Sequence, residues 1–289
     1  MYKQQIQTKK FFELDAKNWS KKAHFKKIKL FNTTHERNLY VLDKLKFYKS
    51  KSFLDVGCGS GDLVFEASKI VKKCIGIDFS SQMIKFAKKN YKNNKLKFIN
   101  EDFFNYSLKE KFDLISANGF IEYLSLNDIV KFLKISNKTL NKNGYLIFGT
   151  RNRLYNLYSL NKFSLNELKK KSFNKFYEES ICLGNLSFNK FLKLKKNKFS
   201  EVLFKQPKTG INVDKRHQFS PLQLVDILSK NKFRVLEFHP INYHVVPPIK
   251  NNLKIFKHLS NSIFFLKDIN KLAYIPFSSS FMVIAKKIN

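Results

Sequence analysis

Three glycines, Gly57, Gly59 and Gly61, alternate in the run Asp55-Val56-Gly57-Cys58-Gly59-Ser60-Gly61, between an apolar stretch and an amphipathic one. Glycines so placed let the backbone turn sharply and approach a ligand with no Cβ in the way. A dinucleotide fingerprint, G-x-G-x-x-G, would require glycine at position 62, where this chain has Asp62. An acid at the start of the next helix opposes a pyrophosphate, which a helix N-terminus otherwise attracts. The expected ligand is therefore a nucleoside carrying no phosphate. Asp78, with Phe79 beside it, lies about 20 residues beyond the turn, where an acid accepts from both ribose hydroxyls. Asp102, in Asn100-Glu101-Asp102-Phe103, offers a carboxylate to an adenine amino group, with Phe103 packed on the ring. Glu101 takes that contact if the register is one residue off. Cys58 reads as a small filler, with nothing nearby to lower its pKa.

A second set of residues points to an acceptor. His217 titrates near neutrality and is placed as a general base, and Tyr123 is a further catalytic candidate. Arg151 and Arg153 follow an apolar strand pattern, and with Arg216 they are candidates to hold a carboxylate or phosphate on a substrate. Cys58, Cys74 and Cys182 form no CxxC pair and no metal-ligand cluster stands out, so no metal is expected.

The elements that must carry these residues alternate in the βα manner of a parallel sheet. Strands are expected at 53–56, 74–78, 96–99, 112–116 and 145–149, with helices at 62–72, 80–91 and 126–140 between them. Ser80 or Ser81 caps the second helix, and Gly144 ends the third. The rhythm resumes with a helix from Ser220-Pro221 through Leu228 and strands at 234–238 and 281–285, which pair antiparallel at one edge. A helix at 253–266 places Phe256, Leu259, Ile263 and Leu266 on one face. The expected division is a helical lid at 1–35, a cofactor-binding core at 36–151, a substrate-cap insertion at 152–214, and the rest of the core at 215–289 with a helical insert at about 248–275.

These residues resemble the class I S-adenosylmethionine-dependent methyltransferases, well over residues 36–151 and more loosely over 215–289. The resemblance implies an α/β, Rossmann-like seven-stranded sheet, mostly parallel with an antiparallel last strand, helices on both faces and helical cap inserts. It implies S-adenosylmethionine as cofactor, with S-adenosylhomocysteine as product. Asp55, Gly57, Cys58, Gly59 and Gly61 would form the cofactor turn, Asp78 the ribose ligand and Asp102 the adenine ligand. Asn118 and Gly119 would pass beside the sulfonium. FFELDAKNW near the N-terminus looks like the lid of small-molecule members, and Arg216-His217-Gln218-Phe219-Ser220 like an arginine-histidine stretch before a late helix. Related enzymes often carry Glu-His where this chain has Glu122-Tyr123. Loose similarity to ubiquinone-pathway O-methyltransferases implies O-methylation of a small molecule, either a quinone-like phenol or a sugar or glycan precursor.

The net charge of +33 in 289 residues suggests a polyanionic partner and motivates an RNA methyltransferase as the alternative. The charge is nearly all lysine and is spread through every segment, whereas nucleic-acid readers favour arginine. Motifs for methylating adenine amino groups or cytosine C5 are absent. A non-catalytic binding protein with the same fold is a third class. There is no apolar leader and no run of about 18 apolar residues, so a cytoplasmic protein is expected, with peripheral membrane contact through helix 253–266 left open.

Overall fold

The computed structural model describes residues 6–14, 33–105, 110–194, 203–205, 215–247 and 271–288. Residues 6–14 form helix α1. The α/β core begins with α2 (Thr33–Phe47) and runs β1 (Ser52–Val56), α3 (Asp62–Ser68), β2 (Lys73–Asp78), α4 (Ser81–Asn90), β3 (Leu96–Asn100), β4 (Phe112–Asn118), α5 (Leu126–Thr139) and β5 (Leu140–Asn152). Four helices follow, α6 (Tyr155–Tyr158), α7 (Lys162–Lys169), α8 (Phe173–Asn185) and α9 (Phe188–Leu192). The chain continues through β6 (Leu203–Lys205), β7 (Lys215–Phe219), α10 (Pro221–Lys230), β8 (Phe233–Tyr243) and β9 (Ser278–Lys287).

Seven strands run in the order β3-β2-β1-β4-β5-β9-β8, all parallel except β9, which lies antiparallel between β5 and β8. The sheet reverses order between β1 and β4, and ligands of open α/β sheets bind at the carboxyl ends of strands beside such a reversal. The expected seven-stranded sheet is thus present, and the structure adds a hairpin. β6 pairs antiparallel with β7, and β7 joins the end of β5 through Arg151–Gln218 and Asn152–Phe219. The arginine-histidine stretch before the late helix is therefore part of a strand.

Side chains alternate along each strand between two cores. Leu54, Val56, Ile75, Ile77, Ile115, Ala117, Leu146 and Phe148 face the core formed with α5, α8 and α10. Phe53, Cys74, Leu114, Ile147, Met282 and Ile284 face the opposite one, under α2, α3 and α4. Capping fixes where the helices start. Ser80 accepts from Met83 N, Ser125 from Asp128 N, and Ser220 forms a capping box with Gln223 ahead of Pro221.

Residues of the 152–214 stretch pack into the main core through Phe176, Leu183 and Phe191. Arg153, expected as a substrate ligand, is tied up there. It is 1% exposed, donates from Nε and Nη2 to Glu167 Oε1 and Oε2 at 3.0 Å each, and lies over the Phe176 ring. Glu167 also accepts from Asn156 and Ser172. Arg153→Met should lower unfolding stability by about 3 kcal/mol, because it strands a buried carboxylate. Urea denaturation measures that loss, and cofactor affinity should be unchanged. The expected helix at 253–266 lies outside the described residues. Among the described residues, no helix is long and apolar enough to cross a membrane.

Candidate active site

The glycine turn joins β1 to α3. Gly57, Gly59 and Gly61 all have positive φ, at 71°, 52° and 83°. Gly61 is the tightest, since a Cβ there would lie 2.7 Å from the Phe98 ring and 2.9 Å from Ala87. Gly57 and Cys58 donate their N–H groups to Ile77 O of β2, which pins the turn across the strand ends. Asp62, at the start of α3, is buried and turned inward, accepting from Ser60 Oγ and Tyr91 Oη at 2.6 Å each.

In front of the turn lies a cavity of about 270 Å³. Gly57, Gly59, Asp78, Phe79, Asp102, Asn118 and Gly119, the residues expected around a cofactor, are brought together in its lining. Asp78 is buried, and its two oxygens accept from Gly59 N (2.9 Å) and Ser80 N (2.8 Å). Burial pushes its carboxyl up to about 6, against the pull of those hydrogen bonds. Asp102, not Glu101, borders the cavity; Glu101 is exposed and accepts from Asp102 N. Phe103 turns into the core against Phe132, and Phe104 takes the cavity position expected of it. Three more expected turn residues lie behind the lining. Asp55 is buried against Ser116 of β4, with its carboxyl pushed up to about 7 by burial. Cys58 packs toward Gly76, its thiol raised well above the ordinary range by burial. Gly61 faces Phe98.

The other end of the cavity is cationic. Arg37, Arg151 and Arg216 surround Glu122, which follows β4. Arg216 Nη1 donates to Glu122 Oε1 at 3.1 Å, and Arg151 Nε stands 3.8 Å from Oε2. Burial alone would raise Glu122, but Arg216, Arg151 and Arg37 hold it below the usual carboxylate range. Tyr123 lies under the Arg216 guanidinium, 4.8 Å from ring centre to carbon. Burial raises its phenol well above the ordinary value, so it stays protonated. His217 is elsewhere. It is 2% exposed, does not line the cavity, and burial lowers its pKa to about 4. The reason is the period of β7, which sends Arg216 to one face and His217 to the other.

The lining also includes residues outside the cofactor motifs, of which Phe12 belongs to the stretch FFELDAKNW expected as a lid. Thr8 and Phe12 come from α1, and Thr33, Thr34 and Arg37 from the first turn of α2. α1 is held by Glu13, which accepts from Ser81 N (2.7 Å) and Gln82 N (3.2 Å) at the start of α4. None of the described residues from 152 to 214 adds to the lining.

A methyltransferase-domain family profile matches residues 48–209, more than half of the chain. The chain belongs to the class I S-adenosylmethionine-dependent methyltransferases. This methyltransferase is 32% identical over 161 residues to a ubiquinone biosynthesis O-methyltransferase of Pelagibacter ubique, covering 52% of this chain and 65% of that one. It is 29% identical over 164 residues to one from Actinobacillus pleuropneumoniae, covering 54% and 68%. The match thus spans about two thirds of these relatives' length or slightly less. Among solved structures, the magnesium protoporphyrin IX methyltransferase of Synechocystis with bound S-adenosylmethionine superposes with a TM-score of 0.56 at 11% identity, covering 99% of this chain and 98% of that one. An N-methyltransferase of Bradyrhizobium japonicum with S-adenosylhomocysteine gives 0.54 at 13% identity, covering 98% and 99%.

The methyltransferase's cavity suits this cofactor chemically. Each Asp78 oxygen already takes one N–H and keeps a lone pair, enough for two ribose hydroxyls. Asn118 donates to Asn38 Oδ1 while its own Oδ1 is buried without a partner, an acceptor suited to an ammonium group. Arg37 is 8% exposed, donates from Nη2 to Ser280 Oγ, and leaves Nε without a partner. Such buried, unpaired polar atoms are costly unless a ligand satisfies them.

Proposed function

We propose that this methyltransferase moves the methyl group of S-adenosylmethionine to an oxygen of a small molecule, a quinone-like phenol or a sugar or glycan precursor. The observation that carries the proposal is one cavity whose lining combines cofactor-type residues with Glu122, Tyr123 and three arginines, and to which α1 adds Thr8 and Phe12. The relatives named for ubiquinone biosynthesis support the phenol.

In this reading Asp78 holds the ribose, Asp102 the adenine amino group, and Phe79 and Phe104 flank the ring. Arg37 meets the methionyl carboxylate, and Asn118 Oδ1 the ammonium. Gly57, Gly59 and Gly119 leave room for close approach. When bound, the cofactor supplies a methyl group on sulfur that is already activated to leave. The protein's work is then alignment, exclusion of water and management of one proton. No histidine lines the cavity among the described residues. The cationic end instead favours the deprotonated form of an acceptor hydroxyl, as nearby positive charge does for any acid. The hydroxyl's proton leaves to solvent before transfer. Tyr123, protonated, donates a hydrogen bond that holds the resulting oxyanion in place until its charge is spent on the new O–CH3 bond, and Glu122 orients Arg216.

Tritium transfer from labelled cofactor into a cell extract tests this. Label is expected in the small-molecule fraction. Label in RNA would favour the alternative motivated by the +33 charge. Cofactor binding by calorimetry with no label anywhere would indicate a non-catalytic member.

A further inference from the structure

Arginine is held in two ways in this chain, and the contrast identifies a vacant carboxylate position. Arg153 uses one edge of its guanidinium, Nε and Nη2, to grip Glu167 side-on, with both bonds at 3.0 Å. Arg216 spends only Nη1 on Glu122, and its Nε and Nη2, the same edge, are buried with no partner. The side chain is 5% exposed and borders the cavity. A buried guanidinium edge left unpaired is costly, and a planar carboxylate satisfies both of its donors at once.

The local charge points the same way. Arg37, Arg151 and Arg216 share one carboxylate, Glu122, which leaves this end of the cavity with a charge of +2. Asp78 does not offset it. Its partners are Gly59 and Ser80, and the nearby charge that acts on it is Glu13. If Arg37 serves the cofactor's carboxylate, Arg216 and Arg151 still lack one counter-charge. We infer that the methyl acceptor carries a carboxylate, gripped side-on by Nε and Nη2 of Arg216 with Arg151 beside it. Phe12 and Tyr123, whose rings meet edge to face at 6.2 Å with the Arg216 guanidinium over Tyr123, favour an aryl group next to that carboxylate. The inference rests on the cavity being a methyltransferase site, and it sharpens the acceptor from a neutral phenol or sugar to an acid.

The test uses full-length protein with ¹⁵N-labelled arginine, first titrated with S-adenosylhomocysteine and then, saturated with it, with benzoate, benzamide or phenyl phosphate. The Arg216 Nε–H resonance is assigned by its absence in Arg216→Lys. Benzoate is expected to shift it saturably while benzamide leaves it in place. Calorimetry should show benzoate binding weakened about tenfold or more in Arg216→Lys, since lysine keeps the charge but not the fork. S-adenosylhomocysteine affinity should be unchanged. Equal responses to benzoate and benzamide, or none to either, would overturn the inference. Tighter binding of phenyl phosphate would overturn it in favour of a phosphate. Lost S-adenosylhomocysteine affinity in Arg216→Lys, with benzoate binding intact, would give the arginine to the cofactor. Should that variant not fold, calorimetry decides: wild type is expected to bind benzoate but not benzamide, with benzoate weakened in Arg151→Gln. Equal binding of the two probes, or unchanged benzoate affinity in Arg151→Gln, would overturn the inference. If the wild type fails to bind S-adenosylhomocysteine in the first titration, the methyltransferase reading fails, before any probe is added.

Discussion

Asp78→Ala is expected to remove measurable S-adenosylmethionine binding from a protein that remains folded. A carboxylate accepting from two ribose hydroxyls loses two charge-assisted hydrogen bonds, roughly 1.5–3 kcal/mol each, or a hundredfold to ten-thousandfold in affinity. Asp78→Asn keeps one oxygen and should fall between alanine and wild type. The carboxylate also braces Gly59 N and Ser80 N, so a thermal melt of each variant separates lost contact from a loosened turn. The wild-type protein carries its own check. Burial pushes Asp78 up to about 6, and hydroxyl donors bind the ionised form, so affinity should be level above pH 7 and fall with acid. At pH 5 about a tenth of the free protein is ionised, and affinity should be about tenfold weaker than at pH 7. Binding by Asp78→Asn should lack that dependence. An affinity that is flat from pH 5 to 8 would remove Asp78 from the cofactor site.

Asp78, Asp102 and the glycine turn were legible because their signal is local: each sits a fixed step from a strand end, and the strand pattern is plain in the sequence. The parallel order and the antiparallel β9 followed from the same pattern. What was not legible depends on a half-turn of backbone or on distant chain. Phe103 and Phe104 exchange roles within one tight turn. His217 and Arg216 exchange faces because 215–219 is a strand, and its partner β6 is only three residues long. Thr8 and Phe12 fall in the lid that the resemblance implied over 1–35, but Arg37 reaches the cavity from a helix that precedes the whole sheet, and no spacing rule links it to the site. One overlooked signal would have found Arg37. In a chain whose positive charge is nearly all lysine, arginine is kept at few positions. Arg37, Arg153 and Arg216 are buried, Arg151 is half-buried, and only Arg234 is exposed. A guanidinium tolerates burial and directs several hydrogen bonds at once, which an ammonium does not. Arginine scarcity therefore marked interior pairing sites, though not which of them faced a ligand.

Glu122→Gln is expected to be the most destabilising single change at the cationic end of the cavity. It preserves shape and one acceptor oxygen, but it leaves Arg37, Arg151 and Arg216 together without a counter-charge. Removing one partner from a buried ion pair costs about 3–5 kcal/mol, which for a chain of this size lowers the melting temperature by on the order of 10 °C. The pH dependence separates charge from packing. Glu122 is held below its ordinary value of 4.5 in the folded protein. Its ionisation therefore stabilises the fold fully above pH 4.5, and the benefit fades as pH falls through the lowered folded value. Urea unfolding of wild type and Glu122→Gln should differ by the whole amount at pH 7, and the two curves should converge in acid. A benzoate-like anion, if it sits on Arg216 as inferred, should restore part of the lost stability to the variant at pH 7, because ligands that bind only the folded state stabilise it by mass action. A difference between the two proteins that stays constant from pH 7 down to pH 3 would mean that Glu122 stabilises by packing. The arginines would then already be neutralised by something other than this carboxylate.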